Sequence, residues 1–278
     1  MEQPLPLLQR REGAVLVLSN NNPAARNALS PAFYAALTEA LARAEADATV
    51  GAIVLTGEGG HFCAGGDLRQ LAKRRELPIE ERRAKLEGLH DLIRAVRDCR
   101  KPVIAAVEGA AAGAGLSLAL ACDMLVAARN AVFSVAYVKV GLTPDGGATA
   151  FLAEFVSRQV LTELCLTGDR ISGERLHALG PVNRLAEPGE ALAQAVAMAA
   201  QVAAGPDLAM AAIKSLCRSA YAQPLESQLE LEAQLMVQSQ ATEESREGIG
   251  AFLEKRPADF VRLRQINAPR TGNEETQP

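Results

Sequence analysis

Three glycine-containing segments have residue types and spacing that could do chemistry: residues 62–68 (FCAGGDL), 109–115 (GAAAGAG) and 141–147 (GLTPDGG). The first two share one predicted plan, in which a strand is followed by small residues and then by a helix. The start of a helix leaves backbone N–H groups without partners, so each segment can aim amides at one oxygen. Two converging segments would form an oxyanion hole, in which each aligned donor contributes on the order of 3–4 kcal/mol to the transition state.

Each of these segments also has a purely structural interpretation. A tight turn with close helix–strand packing is the simplest alternative for each of them. Residues 109–115 make a poor dinucleotide fingerprint, because position 118 is Leu and no acidic residue follows the next strand at the expected distance. Residues 115–119 (GLSLA) resemble a nucleophile elbow, but Ala replaces its second glycine and the stretch falls within a predicted helix. The histidines at 61, 90 and 177 complete no triad.

The amino-acid composition limits the classes of protein to which this chain could belong. The chain has 278 residues and a formal net charge of −4, spread along its length, which argues against a nucleic-acid surface. Aromatic residues make up only 4% and Trp is absent, so the core must consist mainly of Ala, Leu and Val. The basic run Lys73–Arg74–Arg75, followed by Arg82 and Arg83, is interpreted as a solvated helix or mobile loop, with an anion site as the alternative.

The cysteines and the pattern of apolar residues argue against a metal or disulfide framework and against a membrane protein. Five Cys lie beside apolar residues without a CxxC pair, at positions 63, 99, 122, 165 and 217. This favours buried reduced thiols over a metal or disulfide framework, so we expect no metal site. The N-terminus has no apolar signal-type run, and no stretch approaches 18 apolar residues. We therefore expect no membrane association and a cytoplasmic location.

Short β-type runs recur along the first half of the chain, at residues 14–19, 51–56, 102–107, 123–127 and 131–135. Helical stretches separate them, which predicts an α/β fold with a mainly parallel sheet covered by helices. The first helix begins after Ser30 as N-cap, with Pro31 in its first turn. A second helix is predicted over about residues 86–99, and the charged stretch between residues 67 and 86 is predicted to be a flexible connection.

After about residue 205 the pattern changes to helices alone, over residues 207–221, 225–239 and 243–255. We therefore predict a core over residues 1–204 and a helical appendage over residues 205–265. Residues 266–278 lack a periodic apolar signal and are predicted to be disordered.

Together, five motifs resemble the crotonase family, also called the enoyl-CoA hydratase/isomerase superfamily: residues 22–29 (NPAARNAL), 62–68, 101–109 (KPVIAAVEG), 118–123 (LALACD) and 141–147. The resemblance runs from about residue 8 to residue 260. It implies a spiral of ββα turns followed by a helical trimerisation region, assembled as a homotrimer or dimer of trimers. It also implies an acyl-CoA substrate, with no separate cofactor because CoA is part of the substrate.

The resemblance also implies roles for individual residues. The backbone amides of Ala64 and Ala114 are expected to donate hydrogen bonds to the thioester carbonyl oxygen. The other expected substrate contacts are Arg26 and Ala28 beside the CoA pyrophosphate and pantetheine, Gly66 and Asp67 at the adenine end with Gly65 and Leu68 flanking them, and Ser117 and Tyr137 in the pocket.

The catalytic acids are where this chain departs from the hydratases that it resembles. The two glutamates of a typical hydratase would fall on Ser117 and Tyr137, and neither can act as a carboxylate. Addition of water to an enoyl thioester normally needs two groups, one that activates the water and one that delivers the α-proton. A carboxylate does occur at Asp145, where isomerase-type members carry a single acid–base residue. One carboxylate suffices for a 1,3-proton shift, although Asp145 could instead be a helix N-cap.

The sequence therefore predicts an enzyme of this family that transfers a proton within an enoyl-type or ring-derived acyl-CoA through Asp145. Hydration or hydrolysis, with water activated by Asp145 alone or with Tyr137, stays open. A third possibility is a non-catalytic module that binds acyl-CoA or RNA. The bacterial subgroup that the chain resembles most is described as alternative-type oxepin-CoA hydrolase and is associated with phenylacetate breakdown.

Overall fold

The structure is a computed structural model that describes residues 4–266. Its strands are β1 (Leu7–Glu12), β2 (Val15–Asn20), β3 (Ala52–Gly57), β4 (Val103–Val107), β5 (Ala110–Ala112), β6 (Met124–Ala128), β7 (Val132–Ser134), β8 (Ile171–Ser172) and β9 (Arg184–Ala186). Its α-helices are α1 (Pro31–Ala46), α2 (Leu68–Arg74), α3 (Ile79–Asp98), α4 (Ala114–Leu120), α5 (Ala148–Ala153), α6 (Arg158–Thr167), α7 (Gly173–Leu179), α8 (Ala191–Ala203), α9 (Asp207–Ser219), α10 (Leu225–Gln240), α11 (Glu243–Leu253) and α12 (Phe260–Ile266).

The strands form two sheets. The larger has the order β1-β2-β3-β4-β6-β9, and only the β1–β2 pair in it is antiparallel. The smaller has the order β5-β7-β8. The strands β2, β3 and β4 are buried along nearly their whole length, as expected for parallel strands covered on both faces. The predicted strands of this region are confirmed to within one or two residues at each end.

The core lies on both faces of the larger sheet, because successive side chains of a strand point to opposite faces. Leu16 and Leu18 of β2 pack with α1 and α3 on one face, whereas Val15 and Val17 pack with α8 on the other. The buried face of α8 consists mainly of alanines, at positions 191, 195, 199 and 203. Small side chains let this helix approach the sheet closely, as the low aromatic content predicts.

The first helix, α1, begins where its cap residues predict. Ser30 is the N-cap, and its Oγ accepts a hydrogen bond from the Phe33 N–H at 3.2 Å. Its buried positions are Phe33, Leu37, Ala40, Leu41 and Ala44, at the three- and four-residue spacing of one helix face.

The predicted flexible connection between residues 67 and 86 is wrong, because α2 and the first part of α3 occupy it. The Asp67 side chain caps α2 by accepting from the Arg69 N–H at 2.8 Å. Glu80 and Glu81 lie in the first turn of α3, where negative charge is favourable. The high charge of this stretch reflects exposed helix faces, and the predicted second helix is the C-terminal part of α3.

The helices α9–α12 follow the sheets without any strand over residues 207–266. Partly buried ion pairs attach them to the core. Asp207 at the start of α9 pairs with Lys101, and also with Arg264 of α12 at 2.8 Å. The Arg264 side chain is 4% exposed and donates to the Ala203 carbonyl at 2.6 Å. Lys214 Nζ lies 2.5 Å from an Asp123 carboxylate oxygen. The domain division at residue 205 stays a prediction.

Two further predictions concern the chain ends and the membrane. Ile266, the first residue of the predicted disordered tail, is the last residue of α12, and residues 267–278 lie outside the described part. Over residues 4–266 no single helix is long and apolar enough to cross a membrane, although the bent pair α8 and α9 passes a test of length and composition. Within the same range the five cysteines are free thiols, and no cluster of metal-ligating side chains occurs.

Replacing Asp207 by Asn should destabilise the fold, because Lys101 and Arg264 would both lose the carboxylate that compensates their buried charges. We expect the free energy of unfolding, measured by urea denaturation, to fall on the order of 3 kcal/mol. The matched control is Glu243→Gln, which breaks an exposed pair with Arg246 and should cost less than about 1 kcal/mol. Equal losses in the two variants would contradict a structural role for the buried pairs.

Candidate active site

The first two glycine segments lie against each other. The Cys63 N–H donates to the Ala110 carbonyl at 2.9 Å, and the Ala112 N–H donates back to the Cys63 carbonyl at 3.0 Å. A Cβ at Gly65, which has φ of +92°, would lie 2.6 Å from the Ala112 oxygen. A Cβ at Gly115 would lie 2.3 Å from the Cys63 oxygen. Only glycine fits at either position, so both residues are needed for this contact.

One predicted amide of the oxyanion hole is free in the structure. Ala114 is the first residue of α4, and its N–H has no acceptor among the described residues, whereas the following N–H groups of Leu116 and Ser117 donate to the Gly113 carbonyl. This is the geometry expected at a helix N-terminus. The side chain of Ala114 is buried, so its amide lies at the inner end of the site.

The other predicted amide needs correcting. The Ala64 N–H donates to the Arg26 carbonyl at 2.9 Å, so it is already engaged. The Gly66 N–H, two residues further on, has no acceptor within residues 4–266, and Gly66 is exposed. A Cβ built on the adjacent Gly65 lies 3.4 Å from the Ala114 nitrogen, so this turn borders the start of α4. The free pair of amides is therefore that of Gly66 and Ala114.

Three polar side chains converge beside Ala114. The Tyr137 hydroxyl donates to Asp145 Oδ1 at 2.7 Å, and the Ser117 hydroxyl donates to the Asp145 carbonyl at 3.0 Å. The two hydroxyl oxygens are 3.4 Å apart. Ser117 and Tyr137 are the positions where the resemblance places the glutamates of a hydratase. The structure brings both of them against Asp145, with Tyr137 at its carboxylate and Ser117 at its backbone carbonyl.

The Asp145 side chain is not a helix cap, so that alternative interpretation is wrong. The N-cap of α5 is Gly147, and no side chain caps it. Asp145 contributes only its backbone carbonyl there, accepting from the Ala148 N–H at 3.2 Å. Its Oδ2 accepts no hydrogen bond from the part of the chain that the structure describes. One carboxylate oxygen is therefore held by Tyr137 and the other is available.

The polar cluster and the free amides belong to one site. A Cβ built on Gly113, the residue before Ala114, lies 3.7 Å from the Tyr137 ring. A Cβ built on Gly146 lies 3.0 Å from the Ser117 Cβ. The loop that carries Asp145 thus packs directly on α4, whose first residue supplies the free amide.

Burial is the largest influence on the pKa values of Asp145 and Tyr137. Burial raises the pKa of Asp145, while the Tyr137 hydrogen bond and the charges of His90 and Arg74 oppose this rise. Burial also raises the pKa of Tyr137 above its usual range, and the Asp145 charge adds to that effect. Tyr137 therefore stays a neutral donor. The pKa of Tyr34 is raised to about 12, mainly by burial.

The remaining predicted contacts lie around the Gly65 turn. Arg26 ends a short 3-10 helix in a left-handed conformation with φ of +49°, and it is exposed. Ala28 is buried, and Leu68 at the start of α2 is largely exposed. The Asp67 carboxylate is already used as the cap of α2. The structure places these residues in one region, but their contacts with substrate stay predictions.

Asn27 is a residue whose role the sequence reasoning missed. Its side chain is fully buried; Nδ2 donates to the carbonyls of Glu58 and His61 at 2.7 and 2.6 Å, and Oδ1 accepts from the Asn22 N–H at 2.9 Å. These bonds tie the Arg26 turn to the chain that leads into the first glycine segment. The signal for it in the sequence is weak, because Asn27 is one of three polar residues in the motif over residues 22–29.

The remaining acids and histidines have structural partners or lie exposed. Glu108 accepts from the Ala191 N–H at 2.8 Å, and Asp123 pairs with Lys214. His61 accepts from the Ala110 N–H at 3.2 Å. His177 contacts the Val182 carbonyl at 2.7 Å, and Glu154 and Glu163 lie exposed on helices. Asp145 is left as the carboxylate beside the free amides.

The fold is that of an α/β enzyme with two free amides beside a half-buried carboxylate. The chain belongs to the enoyl-CoA hydratase/isomerase family. The profile of that family matches residues 10–262. The resemblance, the fold class and the enzyme class read from the sequence are thereby confirmed, as is an acyl-CoA substrate.

Among similar proteins, 1,2-epoxyphenylacetyl-CoA isomerase of Escherichia coli (strain K12) is 34% identical over 256 residues, 92% of this chain and 98% of that protein. The 2,3-dehydroadipyl-CoA hydratase of the same organism is 35% identical over 255 residues, covering 91% and 98%. A crystal structure of an enoyl-CoA hydratase from Polaromonas sp. JS666 superposes with a TM-score of 0.87 at 49% identity, covering 91% of this chain and 98% of that one. Proteins named for different reactions thus share this chain's fold.

Replacing Tyr137 by Phe should raise the pKa of Asp145, because the variant removes a hydrogen bond that favours the carboxylate. The measurement is a pH titration of ¹³Cγ-labelled aspartate by NMR, with the Asp145 signal identified by its absence in Asp145→Asn. Tyr221→Phe is the control, since Tyr221 is exposed and outside the site. An unchanged or lower pKa in the Tyr137 variant would contradict this role.

Proposed function

We propose that the protein is an isomerase-like enzyme that moves a proton within an enoyl-CoA thioester, with Asp145 as its acid–base group. The observation that carries the proposal is a single half-buried carboxylate with one free oxygen, next to two free amides. The positions where hydratases carry glutamates hold Ser117 and Tyr137, which supply hydroxyl groups only. One carboxylate is enough to take a proton from one carbon and return it to another.

The free amides of Gly66 and Ala114 would hold the thioester oxygen. Negative charge develops on this oxygen when a proton leaves the γ-carbon, and two aligned N–H donors stabilise the resulting dienolate. The short distance between the Gly65 turn and the start of α4 supports this pairing. Gly66 thereby takes the role that the sequence suggested for Ala64, and it is the N–H rather than any side chain that acts at both positions.

Asp145 Oδ2 would accept the γ-proton, so that the C–H bonding pair passes into the dienolate. The same oxygen then delivers the proton to the α-carbon, and the carboxylate is regenerated. A pKa raised by burial makes Asp145 a stronger base than an exposed carboxylate, which helps it to remove a weakly acidic proton. Tyr137 fixes Oδ1 and so aims Oδ2 into the site.

Hydration is the second candidate, because the Tyr137 hydroxyl lies within hydrogen-bonding distance of Asp145 and both could contact one water. The similar proteins carry isomerase and hydratase names. Ring-opening hydrolysis of a phenylacetate-type thioester is a variant of this candidate. Incubating trans-2-enoyl-CoA, 3-enoyl-CoA and a phenylacetate-derived thioester separately, with product masses recorded, separates the reactions. An unchanged mass supports isomerisation, and a gain of one water on an enoyl-CoA supports hydration. A gain of one water on the phenylacetate-derived thioester, with CoA still attached, supports ring-opening hydrolysis, whereas free CoA would indicate cleavage of the thioester itself.

Other parts of the proposal concern binding and assembly. Arg26 and Ala28 would contact the CoA pyrophosphate and pantetheine. Asp67, flanked by Leu68, would lie at the adenine end, whereas Gly66, which the resemblance placed there too, is proposed to bind the thioester oxygen instead. No separate cofactor is required, and the cytoplasmic location remains a prediction. We also propose a homotrimer or dimer of trimers, which is supported by large apolar side chains exposed on α10 and α11: Leu225, Leu229, Met236, Val237, Ile249, Phe252 and Leu253.

Asp145→Asn should reduce kcat about 10²–10⁴-fold while the Kd for an unreactive acyl-CoA stays within a few fold, because only the proton acceptor is lost. The measurements are turnover of the thioester panel and binding by calorimetry. Full activity in this variant would overturn the assignment. A wild-type protein that binds acyl-CoA without turning over any member of the panel would support the non-catalytic alternative.

The same variant should not be less stable than wild type at neutral pH. The pKa of Asp145 is raised in the folded state, so this group favours folding below the ordinary carboxyl pKa and loses that contribution as the pH rises through its raised value. We therefore expect Asp145→Asn to match or exceed the wild-type free energy of unfolding at pH 7, with any advantage vanishing in acid. A marked loss of stability would point to misfolding instead.

The variant Ala114→Pro tests directly whether the Ala114 N–H donates to the thioester oxygen. Proline removes this N–H and is tolerated in the first turn of a helix, where Ala114 lies. We expect kcat to fall about 10²–10³-fold. Ala114→Gly is the matched control, since it keeps the N–H, and its activity should stay within a few fold of wild type. If both variants retained activity, Ala114 would not be a donor to the thioester.

A further inference from the structure

A partly open cavity of about 460 Å³ lies between α1, α2 and α3, within the range of volumes that small-molecule sites have. Its wall is mainly apolar and is formed by Pro31, Tyr34, Leu77, Ala84 and Gly88, with Gln70, Lys73, Arg74 and Lys85 among them. Both lysines are exposed, so their aliphatic stems can cover the wall while their ammonium groups stay in water. Such a wall suits an uncharged, mainly apolar group.

The two helices that border the cavity also border the proposed reaction centre. α2 reaches the proposed thioester amide, since Leu71 Cδ1 lies 3.3 Å from a Cβ built on Gly66. α3 reaches the Asp145 loop, since Leu89 Cδ2 lies 3.6 Å from a Cβ built on Gly146. An acyl group whose reacting carbons lie between these two contacts can therefore continue between α2 and α3 into the cavity.

Tyr34 joins the cavity to the reaction centre on the α1 side. Its side chain is half-buried and lines the cavity. Burial raises the pKa of Tyr34 to about 12; the Arg74 charge opposes this rise, whereas the Asp145 and Cys63 charges add to it. Because the effect of a charge falls with distance, the Tyr34 hydroxyl lies near the residues of the site. At neutral pH Tyr34 therefore contributes an uncharged aromatic ring to the cavity wall.

Gly88 is the residue of the wall whose type the fold does not explain. It lies in the interior of α3, where glycine is less favourable than alanine. Its backbone is not in the left-handed region that favours glycine. A Cβ built on it would meet only Tyr34 Cδ2, at 3.9 Å, which is an ordinary van der Waals contact. Neither backbone conformation nor packing requires glycine here, and what glycine provides at this position is space in the cavity.

We propose that Gly88 is a specificity-determining residue: the space that it leaves receives the apolar far end of the acyl group, which packs against Tyr34. The preferred substrates are then CoA thioesters with a medium-length or ring-bearing acyl group rather than a short one. This inference rests on the proposed function of the site. Each methylene that enters the cavity strengthens binding, because apolar surface leaves water. A large side chain at position 88 would occupy the same space and exclude it.

The test is calorimetric binding of saturated thioesters, which need no turnover: butyryl-CoA against octanoyl-CoA and cyclohexylacetyl-CoA. We expect at least one of the two larger thioesters to bind wild type about tenfold more tightly than butyryl-CoA does. Gly88→Leu should abolish that preference while the Kd of butyryl-CoA stays within about twofold, because only the far end of the acyl group is displaced. Arg83→Leu is the matched control, since it adds the same side chain at an exposed position of α3 that does not line the cavity.

Equal binding of the three thioesters by wild type would overturn the inference, as would a preference for the larger ones that survives in Gly88→Leu. An equal loss of affinity for all three in that variant would show an effect on the CoA portion or on the whole site, and would also overturn it. Gly88→Met, whose flexible side chain fills the same space, decides the question if the leucine variant does not fold. Failure of the proposed function is seen separately, as absence of 3-enoyl-CoA turnover in wild type that still shows the binding preference.

Discussion

The close contact between the first two glycine segments is the constraint on which the site depends. Two backbone hydrogen bonds join Cys63 to the chain at Ala110 and Ala112, and they form only because Gly65 and Gly115 present no Cβ to the opposing carbonyls. This contact sets the Gly65 turn beside the N-terminus of α4. Every later feature of the site, from the free amides to the position of Ser117, follows from where α4 begins.

Burial of one carboxylate next to those amides is the second determinant. Asp145 loses hydration, and a single hydroxyl from Tyr137 partly offsets that loss. The result is a carboxylate that is more basic than an exposed one and has one oxygen directed by a neutral donor. In the proposed mechanism, the residue whose raised pKa reduces stability at neutral pH is also the acid–base group, as is common for catalytic groups.

Ion pairs attach the C-terminal helices to the rest of the fold. The C-terminal helices are attached through pairs in which each buried cation meets a carboxylate, as with Lys101, Arg264 and Asp207. These pairs hold the C-terminal helices against the sheet-bearing part of the chain.

Much of the fold could be predicted from local patterns, because the relevant signals are local. Apolar runs predicted the parallel strands, Ser30 with Pro31 predicted the start of α1, and the glycine segments predicted where free amides would occur. The stretch after Asp67 was misjudged because the charges of an exposed helix resemble those of a loop. The ordered set of motifs, rather than any single motif, was enough to indicate the family.

The sequence by itself determined the fold class, the family and the replacement of two expected glutamates by Ser117 and Tyr137. Only the tertiary structure decided which amide is free, because the Ala64 N–H is engaged by a carbonyl 38 residues earlier in the chain, at Arg26. It also decided that Asp145 is held by Tyr137 and that Ser117 of α4 donates to the Asp145 carbonyl. These are contacts between segments distant in the chain, and residue spacing along one segment carries no information about them.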